Sequence, residues 1–290
     1  MQLSANGLLR GAFYVLLAVS FGLIFSSTRT FHFAHGATFS LAGYLFYTLH
    51  QTLGWPIGVA LAIVCGVGAL YGIALEMLLY RPLRLGRAPA FVIMIASLSA
   101  FFITEVFLAA VYGDGLLRVS HSFSTNFVGT GEFRFPLLRL VIAGTSLAAL
   151  VLLFLWLTST RAGVKVRALA SDPELADALG MVSQTTRYWV FAVGSVMVSV
   201  AGAFYATDLG LVPHMGIVAL LYGSVAAMLG GIGSIAGGVA GAMILGVSMD
   251  VGMYFISGQW QDALAFGILI LVMLFRPSGL FARRTEAMEV

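Results

Sequence analysis

Charge is scarce in this sequence. Asp, Glu, Lys and Arg make up only 9% of its 290 residues, where a water-soluble domain carries about 25%. So few charges cannot cover a globule of this length, which excludes a soluble fold. Lysine is rarer still: of the 15 Lys and Arg all but Lys165 are arginine. A phosphate-binding loop needs Gly-x-x-x-x-Gly-Lys-[Ser/Thr], and Lys165 stands in Ala162-Gly163-Val164-Lys165-Val166, without a glycine frame or a following hydroxyl. Any ATP that the protein depends on is therefore held by another chain. Cys65 is the single cysteine, so neither a disulfide framework nor a thiolate metal cluster can form within one chain. His-Glu-x-x-His does not occur, which removes the metalloprotease pattern.

What is abundant is apolar surface. Hydrophobic residues are 60% of the chain and mean hydropathy is +1.00, the composition of an integral membrane protein. In that setting a formal charge of +3 is not a nucleic-acid footprint, and the 22 Phe serve as lipid-facing and core bulk. The apolar stretch after Arg10 shows no small-residue cleavage site and reads as a retained membrane helix.

A span needs roughly 20 apolar residues. The stretch between Arg10 and Arg29 supplies one. Residues 30–75 lack charge and hold two, or one and a re-entrant segment, with Gly54-Trp55-Pro56 as the turn. Further spans fall at 88–112, 140–160 and 188–207, two at 209–249 broken around Gly230-Gly231-Ile232-Gly233, and a last one ends at Phe275. The total is about nine, within eight to ten. Backbone groups in lipid must be satisfied internally, and these runs are too long for barrel strands. The expected fold is an all-α polytopic bundle, a single transmembrane domain over 1–290.

Cation bias orients the spans. Arg81, Arg84 and Arg87 share one loop; Arg161, Lys165, Arg167 and Arg187 belong to the loop 159–187; Arg276, Arg283 and Arg284 follow the last span. Placing all three inside leaves an even number of spans between neighbours. The polar loop 113–136, with Arg118, Arg134 and Glu132, then faces outside, the C-terminus is cytoplasmic, and an odd span count puts the N-terminus outside.

The loop 159–187 carries the strongest local pattern. Asp172 is a good N-cap, Pro173 is favoured at the first helical position, and Glu174 suits the positive end of the helix dipole; Ser171 with Glu174 offers a capping box one residue earlier. Gly180 is a natural stop in the left-handed conformation. The two turns between them set Leu175 and Leu179 on one face. A helix this short is marginal alone in water. It is either a capped surface linker or a docking element for a cytoplasmic partner.

Here the residues resemble a known family. Arg167-Ala-x-Ala-x-Asp172-x-x-x-Ala176-x-x-x-Gly180-Met181 is similar to the coupling loop of the branched-chain amino acid ABC transporter permeases. Phe31-His32-Phe33-Ala34-His35-Gly36 is similar to their early Asn-Phe-Ala-His-Gly motif, and Tyr80-Arg81-Pro82-Leu83-Arg84 to their first basic loop. Leu229-Gly230-Gly231-Ile232-Gly233-Ser234-Ile235-Ala236-Gly237 resembles their late glycine-rich segment, and Arg276-Pro277-Ser278-Gly279-Leu280 their C-terminal exit. Five motifs in order, from residue 31 to 280, make the resemblance specific. It implies a multi-pass subunit of the bacterial inner membrane that pairs with a second homologous permease. Two cytoplasmic ATPase subunits, holding ATP and Mg, would drive the pair, and an extracytoplasmic binding protein would deliver substrate. No cofactor would be bound by this chain. The segment around Asp172–Gly180 would be the coupling helix. His32 stands where the family has Asn, and Ala37 where Glu is common, which alters what a ligand at those positions would meet.

Polar residues inside spans are functional candidates. On a helix His32 and His35 would share a face, either as satisfied interior residues or, with Gly36, as lining of a translocation path. Glu105 lies mid-span and serves either that path or helix–helix contact. Asp208, Asp250 and Asp262 fall near outer ends and read as exposed interfacial residues, with Asp208 and His214 as candidates for a mouth. Glu76 belongs at the inner membrane edge. Gly233, Gly237 and Gly241 repeat the Gly-x-x-x-Gly spacing that lets helices approach closely, and with Gly230 and Gly231 form the expected packing set; the break there could also line a cavity. No nucleophile–base pair or metal set appears at recognisable spacing, so the chain is not expected to be an enzyme. An ATP-driven importer subunit is the first functional reading. A stand-alone secondary transporter or channel using Glu105 and the histidines is the second.

Overall fold

The structure, a computed structural model, describes residues 2–119, 127–129, 134–181, 184–255 and 257–281. Its helices are α1 (Gln2–Thr28), α2 (Ala34–Phe46), α3 (Ile57–Leu75), α4 (Arg81–Leu85), α5 (Ala90–Tyr112), α6 (Leu137–Ser159), α7 (Arg161–Ser171), α8 (Pro173–Ala178), α9 (Gln184–Asp208), α10 (Met215–Gly230), α11 (Ile235–Phe255) and α12 (Gln261–Phe275). Two-residue strands β1 (Phe127–Val128) and β2 (Phe135–Pro136) pair antiparallel in the segment before α6.

Prolines set several starts. Pro56, Pro89 and Pro136 each hold an extended backbone immediately before α3, α5 and α6, where a residue without N–H costs no helical bond. Downstream, Pro82 has no N–H to give the preceding turn, and the helix widens to π geometry over Glu76–Tyr80 just before it. A second π turn, Tyr47–Thr52, ends α2.

Among the described residues seven helices are long and apolar enough to cross a membrane: α1, the run Ile57–Leu85, α5, α6, α9, α11 and the run Gly258–Phe275. Two shorter passages complete the path, residues 29–33 with α2 and residues 209–214 with α10. The hydropathy reading expects about nine spans; the described residues hold seven helices of that length together with the shorter α2 and α10. One end gathers Gln2, whose amide donates to the Arg134 carbonyl, and the bridge between Leu117 and Leu211. The other gathers α4, α7, α8, the α10–α11 turn and the segment after α12. Arg29, Arg81, Arg84, Arg87, Arg161, Lys165, Arg167, Arg187 and Arg276 all fall at this second end. Glu132, Arg283 and Arg284 lie outside the described residues.

Helix α1 is the axis, packed on α6, α9, α10 and α11. Large side chains such as Leu16, Phe21 and Ile24 are buried in these contacts, and against α11 the backbones also approach closely. A Cβ at Gly7 would stand 2.6 Å from the Val247 Cα, and one at Gly246 would strike the Gly11 backbone. Of the expected glycine set, Gly230, Gly237 and Gly241 behave likewise, since Cβ atoms there would collide with the facing backbone of α10 or α11, whereas a Cβ at Gly233 would stand in open space. Their packing is therefore within the chain. Gly231 and Gly233, both at positive φ, make the turn, and Ser234 caps α11 by accepting from the Gly237 N–H at 3.0 Å. Residues beyond α12 close the other side of this turn: the N–H groups of Leu280 and Phe281 donate to the Leu229 and Gly230 carbonyls at 2.9 and 3.1 Å. These are end-of-helix acceptors that have no partner inside α10.

Three expectations need correction. The loop 159–187 holds a further helix, α7, started by the Thr160 hydroxyl accepting from the Gly163 N–H at 2.9 Å. Asp250 is not exposed but buried, because Arg10 reaches it across the α1–α11 contact at 2.9 Å. Finally, α2 begins at Ala34, so His32 precedes the helix rather than sharing its face with His35.

Candidate functional site

Two regions hold the sequence-derived candidates. The first is a polar pocket of side chains in the bundle interior. His32 and His35 are both buried, and their rings meet at a centroid distance of 5.8 Å. His32 Nδ1 is 2.6 Å from the Tyr80 hydroxyl, while His35 Nε2 is 2.9 Å from Ser20 Oγ. The Ser20 hydroxyl has its own acceptor in the Leu16 carbonyl at 2.6 Å. His35 therefore donates through Nε2 and leaves Nδ1 as a bare acceptor. Neither His32 Nε2 nor His35 Nδ1 has a hydrogen-bond partner among the described residues. Ser97 on α5 accepts from the Ala34 N–H at 3.1 Å and fastens the start of α2. Each histidine is thus half-satisfied and half-free, a combination that costs stability where the free nitrogen is sealed from water.

Gly36 belongs to the same place for a steric reason. A Cβ there would stand 2.6 Å from the Gly216 carbonyl oxygen, and one at Gly216 would meet Gly36 in turn. The first turns of α2 and α10 cross backbone to backbone inside the bundle. Glu105 does not join the histidines. It is half-buried on α5, one turn beyond Phe101, and makes no hydrogen bond or ion pair among the described residues.

The second region is the basic end. Asp172 Oδ1 accepts from the Leu175 N–H at 2.9 Å, so α8 is capped by Asp172 itself. At the other end Gly180 takes φ +67° and the Met181 N–H reaches back to the Ala176 carbonyl at 2.9 Å, the left-handed closure expected from sequence. Between the caps Leu175 is 56% and Leu179 66% exposed. Arg167, on α7, is exposed as well. The side chains of Pro173 and Glu174 lie outside the described residues. Beside α7 a cavity of about 620 Å³ is lined by Arg29, Arg167, Ser171 and the turn Gly231–Gly233, so the break between α10 and α11 does border open space.

Sequence reasoning missed the buried acid at this end. Glu76 is 0% exposed and binds Arg84 through both carboxylate oxygens, one of them at 3.1 Å, while Gln184 at the start of α9 donates to it at 3.0 Å. Arg84 is eight residues away, so the π turn and α4 rather than a helical i,i+4 step bring the pair together. The spacing alone gave no sign of it.

An all-α bundle of long apolar helices with buried polar side chains at its centre and a basic, helix-bearing end is a polytopic membrane transport protein. The family described as "Branched-chain amino acid transport system / permease component" matches residues 3–273, and the chain belongs to it. It is a transport permease component and not an enzyme. Among relatives, it is 26% identical to the high-affinity branched-chain amino acid transport system permease protein LivH of Escherichia coli K12, over 98% of this chain and 96% of that protein. It is 29% identical to BraD, the corresponding permease protein of Pseudomonas aeruginosa, with the same coverage. The fold is similar to PsaBC from Streptococcus pneumoniae, solved in complex with Fab: TM-score 0.54, 14% identity, 96% of this chain and 93% of that one.

Proposed function

We propose that this chain is one half of the membrane channel of an ATP-driven importer for branched-chain or similar amino acids, with its basic end in the cytoplasm. A second homologous permease forms the other half, two ATPase subunits dock below, and an extracytoplasmic binding protein delivers substrate. In this reading α8 is the coupling helix, with Arg167, Asp172, Pro173, Glu174, Leu175, Leu179 and Gly180 as its working residues. The observation that carries it is the pair of exposed leucines held between two closed caps. A two-turn helix with its apolar side facing water needs a groove to cover it, and an ATPase surface supplies one. The crowding of arginine at the same end supports the cytoplasmic assignment. His32, His35 and Gly36 lie along the path through the bundle in this scheme, and Glu105 faces the second permease.

The test is affinity purification of the tagged protein in mild detergent, followed by mass spectrometry. ATPase subunits and a second permease should accompany the wild type. The ATPases should be lost from Gly180→Pro, whose fixed φ cannot adopt +67°, and from Asp172→Lys, while insertion persists. Recovery of a homo-oligomer without ATPase would overturn this reading in favour of a secondary transporter.

A further inference from the structure

At the end opposite α8 a cavity of about 290 Å³ opens between α1, α6, α9 and α10. Its lining includes two guanidinium groups, Arg10 and Arg139, one carboxylate, Asp208, three tyrosines, the Gln261 side chain at the start of α12, and apolar side chains such as Phe13, Ile142 and Phe204. The two arginines are held differently. Arg10 is tied to the buried Asp250 at 2.9 Å, which fixes its position and offsets its charge. Arg139 Nε stands 3.8 Å from Asp208 Oδ1, with both side chains about one-third exposed. That separation is an ion pair but too long for a hydrogen bond, so Arg139 keeps donors, and Asp208 acceptors, for something between or beside them.

From this arrangement we infer that the cavity is a binding chamber for a free amino acid zwitterion with an aliphatic side chain. The inference rests on the importer reading and deepens it, since it gives this chain its own contact with substrate after delivery. A guanidinium binds a carboxylate through paired donors, and Asp208 provides the counter-charge for the ammonium on the neighbouring carbon. The apolar side chain then lies against Phe13, Ile142 and Phe204. A simple anion would meet Asp208, a simple cation would meet Arg139, and an uncharged solute would strip water from both without replacing it. The volume suits a solute of this size and lies just under the range of drug-sized pockets. Phosphatidylethanolamine carries a similar pair of charges on its headgroup, and the test separates the two sources.

The experiment measures thermal unfolding of the purified full-length protein, with whatever subunits accompany it, in the absence of ATP. The probes are L-leucine, isovalerate, isoamylamine and phosphorylethanolamine. Binding to the folded state alone raises the midpoint with ligand concentration. L-Leucine at roughly ten times its Kd should raise Tm by about 3–6 °C, and the two singly charged analogues should not. Arg139→Gln and Asp208→Asn should abolish the rise. Ile142→Phe, which narrows the chamber without touching a charge, should reduce it and guards against a charge variant that fails to fold. No rise with L-leucine, or a rise that survives in all three variants, overturns the inference. A rise with phosphorylethanolamine alone overturns it in favour of a lipid headgroup. The importer reading fails separately, through missing ATPases in the purification, and leaves this readout intact.

Discussion

The centre of this bundle and its rim are built on opposite rules. At the centre, α1, α10 and α11 meet through glycine, with facing backbones so close that a single methyl group collides. At the rim, α5 and α12 turn large side chains outward, among them Ile103, Val106, Ile270 and Leu274. Bulk is exposed where a water-soluble protein would not have it, and the close helix crossings rest on glycine where that protein would more often place a larger side chain. The difference follows from the solvent. Lipid is as apolar as leucine, so burying leucine gains little, and association depends on packing and on polar contacts instead. The two buried ion pairs, Arg10–Asp250 and Arg84–Glu76, belong to the same logic, because each fastens segments that hydrophobic burial cannot.

That contrast can be broken from the inside first. Gly230→Leu should prevent accumulation of folded protein altogether, since its side chain would have to occupy the backbone of Gly237 and Gly238; size-exclusion of a fluorescent fusion would show aggregate or nothing. Arg84→Ala comes next. It leaves the Glu76 carboxylate buried with Gln184 as its only remaining donor among the described residues, a loss of about 3–5 kcal/mol, read as a lower unfolding midpoint in detergent. Asp250→Asn keeps the shape but weakens the hold on Arg10 and should cost about 1.5–3 kcal/mol by the same measurement. Smallest of all, Ile270→Ala on the rim should change stability by no more than about 0.5 kcal/mol. A rim substitution as damaging as the central ones would erase the distinction, and a larger effect in the assembled complex than in the isolated chain would locate a subunit contact on α12.

The sequence made much of the architecture legible. Apolar length marks the passages, arginine marks one end, and the caps of α8 appear residue by residue because Asp172, Leu175, Gly180 and Met181 are near neighbours in the chain. Contacts between distant segments left no such trace. Nothing local joins Arg10 to Asp250, or Gln184 to Glu76, and an aspartate near the end of a hydrophobic run reads as exposed until its partner is seen. His32 shows the same limit at short range. Its spacing from His35 suggests a shared helical face, yet the helix starts two residues later and the rings meet around its first turn. The 11 residues of α7 leave no clear mark in the sequence, because an amphipathic segment at a membrane edge resembles any polar loop.

The seal formed by Leu280 and Phe281 over the end of α10 has a consequence for the order of synthesis. The Leu229 and Gly230 carbonyls enter the membrane some fifty residues before the N–H groups that bind them are made. Through that interval the α10–α11 hairpin, tight as its glycines are, has an open edge. The last passage must insert and turn before the hairpin is complete. In kinetic terms this segment is a latch, and the hairpin acquires its final rigidity only once residue 281 has been made.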